Sequence, residues 1–482
     1  MGQENLQKSG SLPVLCVDLD GSLVRTDLLA ESLLLLLKRN PLFMLLLPFW
    51  LLRGRAAFKR EIAARVSIDA SLLPYNEEVV LYIKRERESG RRIVLATASD
   101  LRAAECVAEH LGFFDEIVAS DGERNLAGEE KRDVLRQRFG VCGFDYVGDS
   151  FKDLPVFAAA RKSFVVNPSG SLLARVKREA RLERVFEIKT DFWKNLFLAI
   201  RPHHWIKNIL IFIPYITAHQ LTDIPLLLRG LAGVLSFSLC AGAIYLINDL
   251  LDLAADRVHP SKKSRPFASG AFPIVYGLPL AGLLLLASGA LGLLAGSSFL
   301  LVLAAYGVCA VAYSLVIRQV LLLDVFCLAF LYTLRLIAGH AVSGLPYSPW
   351  LLAFSMFAFL SLALLKRYVE LRRIHSDSRA SARERAYRPS DMDQLMNMGA
   401  TSGYLAALVF ALYINSEQML QFYARPALLW IVCPIILYWF NRIWFLAHRG
   451  QVNHDPVVFA LQDRVSYITA LIMGCILAFA SK

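Results

Sequence analysis

The 482-residue chain reads as two domains of different class, a parallel α/β domain followed by an all-α domain of nine membrane-spanning helices. Three observations predict this. Hydrophobic residues make up 56% of the chain and charged residues only 19%, too apolar a balance for a wholly soluble protein. Residues 1–190 hold 29 Lys/Arg against 27 Asp/Glu, whereas residues 191–482 hold 23 against 14, so a balanced half precedes an apolar, basic one. The first half alternates short β-branched runs with helical stretches, and the second repeats long apolar runs separated by basic loops. Most of the net charge of +11 lies in those loops, which suits an anionic membrane surface or phosphorylated substrates and argues against nucleic acid. The eight cysteines are scattered without a CxxC pair, so neither a disulfide framework nor structural zinc is expected.

In chain order, the polar start MGQENLQKSGSLP shows no secretory signal, so the first domain (1–170) is expected on the cytoplasmic side. The runs VLCVDLD, RRIVLATAS, FDYVGD and SFVVN read as parallel strands. Between the first two, residues 28–85 form a helical insert. Its segment NPLFMLLLPFWLLRG is too short to span a bilayer and is broken by Pro48, so it is expected as an interfacial or buried cap helix. Residues 171–195 are basic and partly amphipathic, a juxtamembrane helix on anionic headgroups or a solvated linker.

Nine apolar runs follow within 196–482, near 196–217, 226–247, 274–295, 298–317, 321–342, 350–366, 402–422, 427–446 and 465–480. With the amino terminus inside, the inner loops collect Arg257, Lys262, Lys263, Arg265, Arg318, eight Lys/Arg from Lys366 to Arg388, Arg449 and Arg464. The outer side holds only Arg425 and the terminal Lys482. That asymmetry is what the positive-inside rule requires and predicts a multi-pass protein of the bacterial inner membrane.

Asp18 and Asp20 follow the strand VLCV at once, at the carboxyl end where α/β sheets build their sites. The next strand ends in Thr97 and Ser99, Lys131 opens a helical stretch, and FDYV ends in Gly148-Asp149-Ser150 with Asp153 following. These four elements, in this order over residues 14–168, resemble the haloacid dehalogenase (HAD) superfamily of phosphatases, and the insert at 28–85 sits where that family places its helical C1 cap. The resemblance implies Asp18 as nucleophile, Asp20 as general acid/base, Thr97 and Lys131 on the phosphoryl oxygens, and Mg²⁺ held by Asp18, Asp20, Asp149 and Asp153. A carboxylate can attack phosphorus only if the negative charge is offset, which is why cations recur in such a set.

Asn248, Asp249, Asp252 and Asp256 lie at the inner end of the second span. At about 100° per residue the three aspartates share one helix face, and mutually repelling carboxylates there point to a divalent cation on a phosphate-rich substrate. Lys262, Lys263 and Arg265 follow and can pair with outer phosphates. NDxxDxxxD after a span in a nine-span chain resembles the UbiA superfamily of intramembrane prenyltransferases. The second aspartate-rich motif of that family is missing; one carboxylate, Asp324, stands eleven residues before Arg335 on the same helical stripe. An intramembrane arginine is costly and calls for an anionic ligand or a helix-packing ion pair.

RPHHWIKNILIFIPYI, NDLLDLAADRVHPSKKSRPFASG, the YS…D…LR pattern, KRYVEL at 366–371 and the pair Asp463-Arg464 together resemble decaprenyl-phosphate phosphoribosyltransferases over residues 200–465. The resemblance implies phosphoribosyl diphosphate as donor and a polyprenyl phosphate as acceptor, with Mg²⁺ and diphosphate on Asp249, Asp252 and Asp256, and Asn248 orienting them. Lys207, Lys262, Arg265, Arg335, Lys366 and Arg367 are the candidate phosphate partners, with Asp324 beside them. The expected chemistry is therefore bifunctional, transfer of 5-phosphoribose in the membrane and hydrolysis of its 5-phosphate outside it. An aromatic prenyltransferase with an unrelated phosphatase, or a transporter or scaffold with a tethered domain, are the alternatives; the absence of an inverted repeat disfavours the last.

Overall fold

The computed structural model describes residues 12–188, 190–218, 220, 222–376, 386–417, 423–452, 456–460 and 462–481. The polar residues before Leu12, the inner-loop arginines 379, 383 and 385, and the terminal lysine lie outside these ranges. The chain forms two compact units, residues 1–199 with Leu246–Pro279, and Ile200–Tyr245 with the residues from Leu280 on.

The first unit is built on six parallel strands: β1 (Val14–Val17), β2 (Ile93–Asp100), β3 (Glu116–Ser120), β4 (Phe144–Gly148), β5 (Ser163–Val166) and β6 (Leu182–Phe186), in the order β3-β2-β1-β4-β5-β6. The central strands are buried almost throughout, as expected when helices cover both faces of a parallel sheet. After β1 the chain winds to one side through β2 and β3, then returns for β4 on the other, which makes the gap between β1 and β4 a topological switch point. Val17 stands beside Leu95 and Val147 in register, so β1 and β4 finish within one residue of each other while β2 runs on to Asp100.

The insert folds as α1 (Leu28–Arg39), a 3₁₀ turn Pro41–Leu45, α2 (Leu47–Leu52), α3 (Arg55–Ala63) and α4 (Glu77–Glu88). Asp27 caps α1 by accepting from Ala30 N, and Asn40 closes it and caps the following turn. The stretch 171–195, expected as a juxtamembrane segment or linker, instead carries the helix Gly170–Glu179 and the edge strand β6. That strand hid because LERVF exposes its charged residues at the sheet edge, where alternation with polar side chains is permitted.

In the helical part, seven helices among the described residues are long and apolar enough to cross a membrane: Ile224–Leu251, Ile274–Ala295, Ser297–Leu315, Leu323–Ser343, Pro349–Arg373, Pro389–Ile414 and Pro426–His448. Arg464–Ala480 is apolar but shorter. The run near 196–217 is not one helix. A helix ends at Ile200, Arg201 takes a left-handed φ of 57°, and a 3₁₀ segment Pro202–Phe212 leads into Ile213–Thr217. Pro202 and Pro214, lacking N–H donors, each start a new segment and interrupt the ladder.

Candidate functional site

At the switch point of the sheet, Asp18, Asp149 and Asp153 bring carboxylate oxygens within 4.8 Å of one another. Lys131, almost fully buried, donates to Asp18 Oδ1 at 2.8 Å, to the Tyr146 hydroxyl at 2.9 Å and to Asp153 Oδ1 at 3.1 Å. Tyr146 in turn donates to Asp153 at 2.8 Å, as does the Ser150 hydroxyl. Asp20 accepts from Leu28 N at 2.8 Å and from the Ser99 hydroxyl, so its carboxylate is tied to the first turn of α1 and to the end of β2. Thr97 is buried, and its hydroxyl accepts from Ser99 N at 3.0 Å. Gly21 is required here: its φ is +75°, and a Cβ on it would lie 2.0 Å from Asp149 Oδ2.

Crowding these carboxyls into a buried pocket shifts their protonation. Burial pushes Asp18 up to about 7, against the pull of Lys131, and burial with the nearby Asp27 pushes Asp20 up to about 6. Asp149 is raised well above the usual range, first by burial and then by Asp18 and Asp153. Burial acts the same way on Asp153, but Lys131 and three side-chain hydrogen bonds outweigh it and leave this carboxyl lowered. The cluster of Asp18, Asp149 and Asp153 thus gathers more carboxylate than Lys131 offsets. An all-carboxylate donor set fits a hard divalent cation such as Mg²⁺, with Asp18, Asp149 and Asp153 as its holders.

Two further groups reach this site without any sequence signal. Lys59 of α3 donates to Ala98 O at 2.6 Å and Asn125 Oδ1 at 2.7 Å, and the Asp20 and Asp27 charges act on it. Tyr146 was a strand residue in the sequence; its hydroxyl becomes the link between Lys131 and Asp153 only once β4 is placed.

The same unit holds the aspartate-rich segment. The long helix stops at Leu251, and a short one, Leu253–Val258, begins after Asp252, so the three aspartates do not continue a single helix. Asp249 and Asp256 are brought together by Arg265, whose Nη1 donates to them at 3.1 and 2.6 Å, and Lys262 stands 3.9 Å from Asp256. Burial raises the Asp256 carboxyl, partly offset by Arg265. Asp252 instead accepts from Lys38 of α1 at 3.3 Å, and the same ammonium caps Leu251 O at 2.7 Å. Arg257 forms a forked pair with Glu31 of α1, at 2.9 and 2.5 Å. Asn248 is half-buried at the head of the segment. Asp249 and Asp256, joined through Arg265, offer oxygen donors of the kind a hard cation takes.

In the second unit, Asp324 and Arg367 turn out to serve each other. Arg367 Nε donates to Asp324 Oδ2 at 2.5 Å, Tyr387 donates to Oδ1 at 2.5 Å, and the remaining guanidinium nitrogens reach Glu370 and Tyr313. Both members are fully buried, so each meets its counter-charge inside this unit. Arg335 is different. Its Nε donates to Asn208 Oδ1 at 2.9 Å and its Nη1 to Leu331 O at 2.5 Å, while Phe237, Tyr306 and Tyr332 surround the guanidinium at 5.2–5.3 Å. Among the described residues it meets no carboxylate. Asn208, which the sequence reading passed over inside RPHHWIKN, is fixed from behind by donating to Ser238 at 2.8 Å. Lys207 is buried beside it and reaches the Tyr332 hydroxyl at 3.2 Å. Lys366 is half-buried one residue before Arg367. An apolar cavity of about 840 Å³ opens in the same unit, lined by Trp350, Phe354, Phe359, Phe410 and Trp439 among others.

The model of the UbiA prenyltransferase family matches residues 209–462. The chain belongs to that family. It is a multi-pass membrane protein of a transferase family. An uncharacterized protein, y4nM, of Sinorhizobium fredii is 37% identical across 96% of this chain and 90% of its own length, so it spans both parts. The nodulation protein NoeC of Azorhizobium caulinodans is 34% identical over 58% of this chain and 91% of its own. The decaprenyl-phosphate phosphoribosyltransferase of Mycolicibacterium smegmatis is 29% identical over 58% and 89%. A solved UbiA homolog from Archaeoglobus fulgidus, bound to GPP and Mg²⁺, is 13% identical over 59% of this chain and 98% of its own, with a TM-score of 0.45.

Proposed function

We propose that this member of the UbiA family transfers 5-phosphoribose from phosphoribosyl diphosphate to a polyprenyl phosphate at the inner membrane, and that its α/β domain is a HAD-type phosphatase removing the 5-phosphate of the product. The observation that carries the reading is Arg335, a buried guanidinium held by Asn208 and three aromatic rings with no carboxylate partner among the described residues. A buried cation arranged in this way calls for an anionic ligand. Relatives named decaprenyl-phosphate phosphoribosyltransferase supply the substrate class, a donor and an acceptor that are both phosphorylated. The apolar cavity suits the lipid chain.

In the transfer, a phosphate oxygen of the lipid attacks C1 of the ribose as the bond from C1 to the diphosphate oxygen breaks. The acceptor is already ionised near neutral pH, so no side chain has to take a proton from it. Arg335 and Lys207 hold phosphate charge, Lys262 and Arg265 receive the departing diphosphate, and Asp249, Asp252 and Asp256 would hold Mg²⁺ with Asn248 orienting them. Lys366 remains a further cation of this role. In the α/β domain the Asp18 carboxylate attacks phosphorus, and Asp20, with its carboxyl shifted to about 6, gives its proton to the leaving sugar oxygen. Water then attacks the aspartyl phosphate, and Asp20 takes the proton back. Thr97 and Lys131 steady the phosphoryl oxygens. Mg²⁺ on Asp18, Asp149 and Asp153 would supply charge neutralisation. Nine spans with the amino terminus in the cytoplasm, counting the broken segment and Arg464–Ala480, would put both reactions on the inner side.

Incubating the purified full-length protein with radiolabelled phosphoribosyl diphosphate and polyprenyl phosphate tests this. Lipid-extractable label is expected, and Asp249→Asn should abolish it while release of phosphate from a soluble monoester persists. Label appearing only with a prenyl diphosphate and an aromatic acceptor would overturn the reading.

A further inference from the structure

The segment between α1 and α3 presents an apolar face for which the α/β domain has no use. Trp50 is buried against Leu36 and Ile62, with the Arg65 guanidinium 4.6 Å from its ring, and Phe43 and Leu47 pack beside it. That small cluster fixes the orientation of the 3₁₀ turn and α2, and everything else apolar there points out. Leu42 and Leu45 are each 69% exposed and Leu52 86%, and Met44, Leu46, Phe49 and Leu51 are exposed with them. Seven large apolar side chains within eleven residues form a patch that a freely solvated domain does not keep. Pro41 and Pro48 divide the segment into two short turns, far below the length needed to cross a bilayer.

Charge decides the occupant. Between Glu31 and Glu61 there is no Asp or Glu, but there are Lys38, Arg39, Arg53, Arg55, Lys59 and Arg60, in a domain whose charges otherwise nearly cancel. Arg39 and Arg53 directly flank the apolar stretch. Apolar side chains flanked by arginines match an anionic lipid surface, with the side chains among the upper acyl carbons and the cations at the headgroups. A second copy of the chain would oppose the same basic flanks to themselves across a two-fold axis.

We propose that residues 41–52 dock on the anionic leaflet of the membrane that the same chain spans, and that this holds the Asp18 site against lipid-borne phosphomonoesters. The link is short: α1 begins where Leu28 N binds Asp20 and ends at Asn40, where the lipid-facing segment starts. The delivery of a lipid-borne substrate rests on the phosphatase reading above; the docking does not.

The test uses full-length protein in nanodiscs containing phosphatidylglycerol, with Cys142→Ser and Cys475→Ser removing the exposed thiols. Nitroxides on Leu45→Cys and Leu52→Cys should be relaxed by oxygen more than by a water-soluble nickel complex, whereas one on Leu81→Cys, exposed on α4, should show the reverse. Nickel accessibility at 45 and 52 equal to that at 81, or dipolar broadening between protomers, would overturn the docking. In the Leu45→Glu/Leu52→Glu variant the KM for a polyprenyl-linked phosphomonoester should rise about tenfold while hydrolysis of p-nitrophenyl phosphate stays within about twofold. An unchanged KM for the lipid would overturn the delivery role. If the wild type hydrolyses neither substrate, the phosphatase reading fails, and the nitroxide measurement still decides the docking.

Discussion

The Asp18 cluster and the Arg335 cage are both buried and charged, yet they are left unbalanced in opposite directions. Around Asp18 the carboxylates of Asp149 and Asp153 converge, Asp20 acts from nearby, and Lys131 pairs with Asp18 and Asp153 while Lys59 stands nearer Asp20. Around Arg335 a guanidinium sits among aromatic faces and an amide oxygen with no carboxylate among the described residues. Burying charge without its counter-charge is expensive. In the function proposed above a cation completes the first region and an anion the second, with metal-assisted phosphoryl chemistry at one and phosphate binding at the other. The Asp324–Arg367 pair is the contrast to both: equally buried, but with charge and counter-charge in direct contact.

The largest expected effect breaks the first region alone. Asp18→Asn keeps the shape and removes the attacking carboxylate, so phosphate release should fall by about a thousandfold or more. Lipid labelling from phosphoribosyl diphosphate should continue, and mass spectrometry should find the 5-phosphorylated lipid accumulating. Identical lipid products from wild type and variant would separate the two activities. The next effect is on stability. Arg367→Met leaves Asp324 charged and buried, at a cost of about 3–5 kcal/mol, which a large drop in the unfolding temperature of the detergent-solubilised protein would register. The double variant Asp324→Leu/Arg367→Met should recover most of it, and Arg335→Met, which orphans no carboxylate, should show little loss. Equal destabilisation by the Arg335 and Arg367 variants would erase the distinction drawn between them.

Much of this contrast was legible in the sequence, and its gaps have physical causes. Asp18 and Asp149 follow strand ends with Asp153 just beyond, Thr97 lies in the last half of β2 and Lys131 in the first turn of a helix, and a parallel sheet with a switch point gathers such positions whatever the loop lengths. The helical stripe relating Asp324 to Arg335 was real, but eleven residues of helix set them roughly 16 Å apart along the axis, and partners were found on other segments. Arg367 answers Asp324 and Asn208 answers Arg335, long-range choices that no periodicity encodes. The face shared by Asp249, Asp252 and Asp256 presumed an unbroken helix; the break at Asp252 hands that residue to Lys38 and the other two to Arg265. Lys59 and β6 escaped because one is a cation within a basic run and the other a charged edge strand.

The smallest predicted effect is the sharpest test of the cage. Arg335→Lys retains the positive charge but loses the planar fork, so it cannot hold Asn208 Oδ1 and Leu331 O while offering nitrogens to a phosphate among the rings of Phe237, Tyr306 and Tyr332. If the guanidinium binds phosphate in both the ground and transition states, KM for donor or acceptor should rise about tenfold, about 1.4 kcal/mol, with kcat little changed. If it acts only on charge that develops as the diphosphate departs, kcat should fall and KM hold. Asn208→Ala should reproduce whichever pattern is seen, in weaker form, because it frees the guanidinium without removing it. Both constants unchanged in Arg335→Lys and Arg335→Met would return Arg335 to the class of Arg367, a cation that supports the fold and touches no substrate.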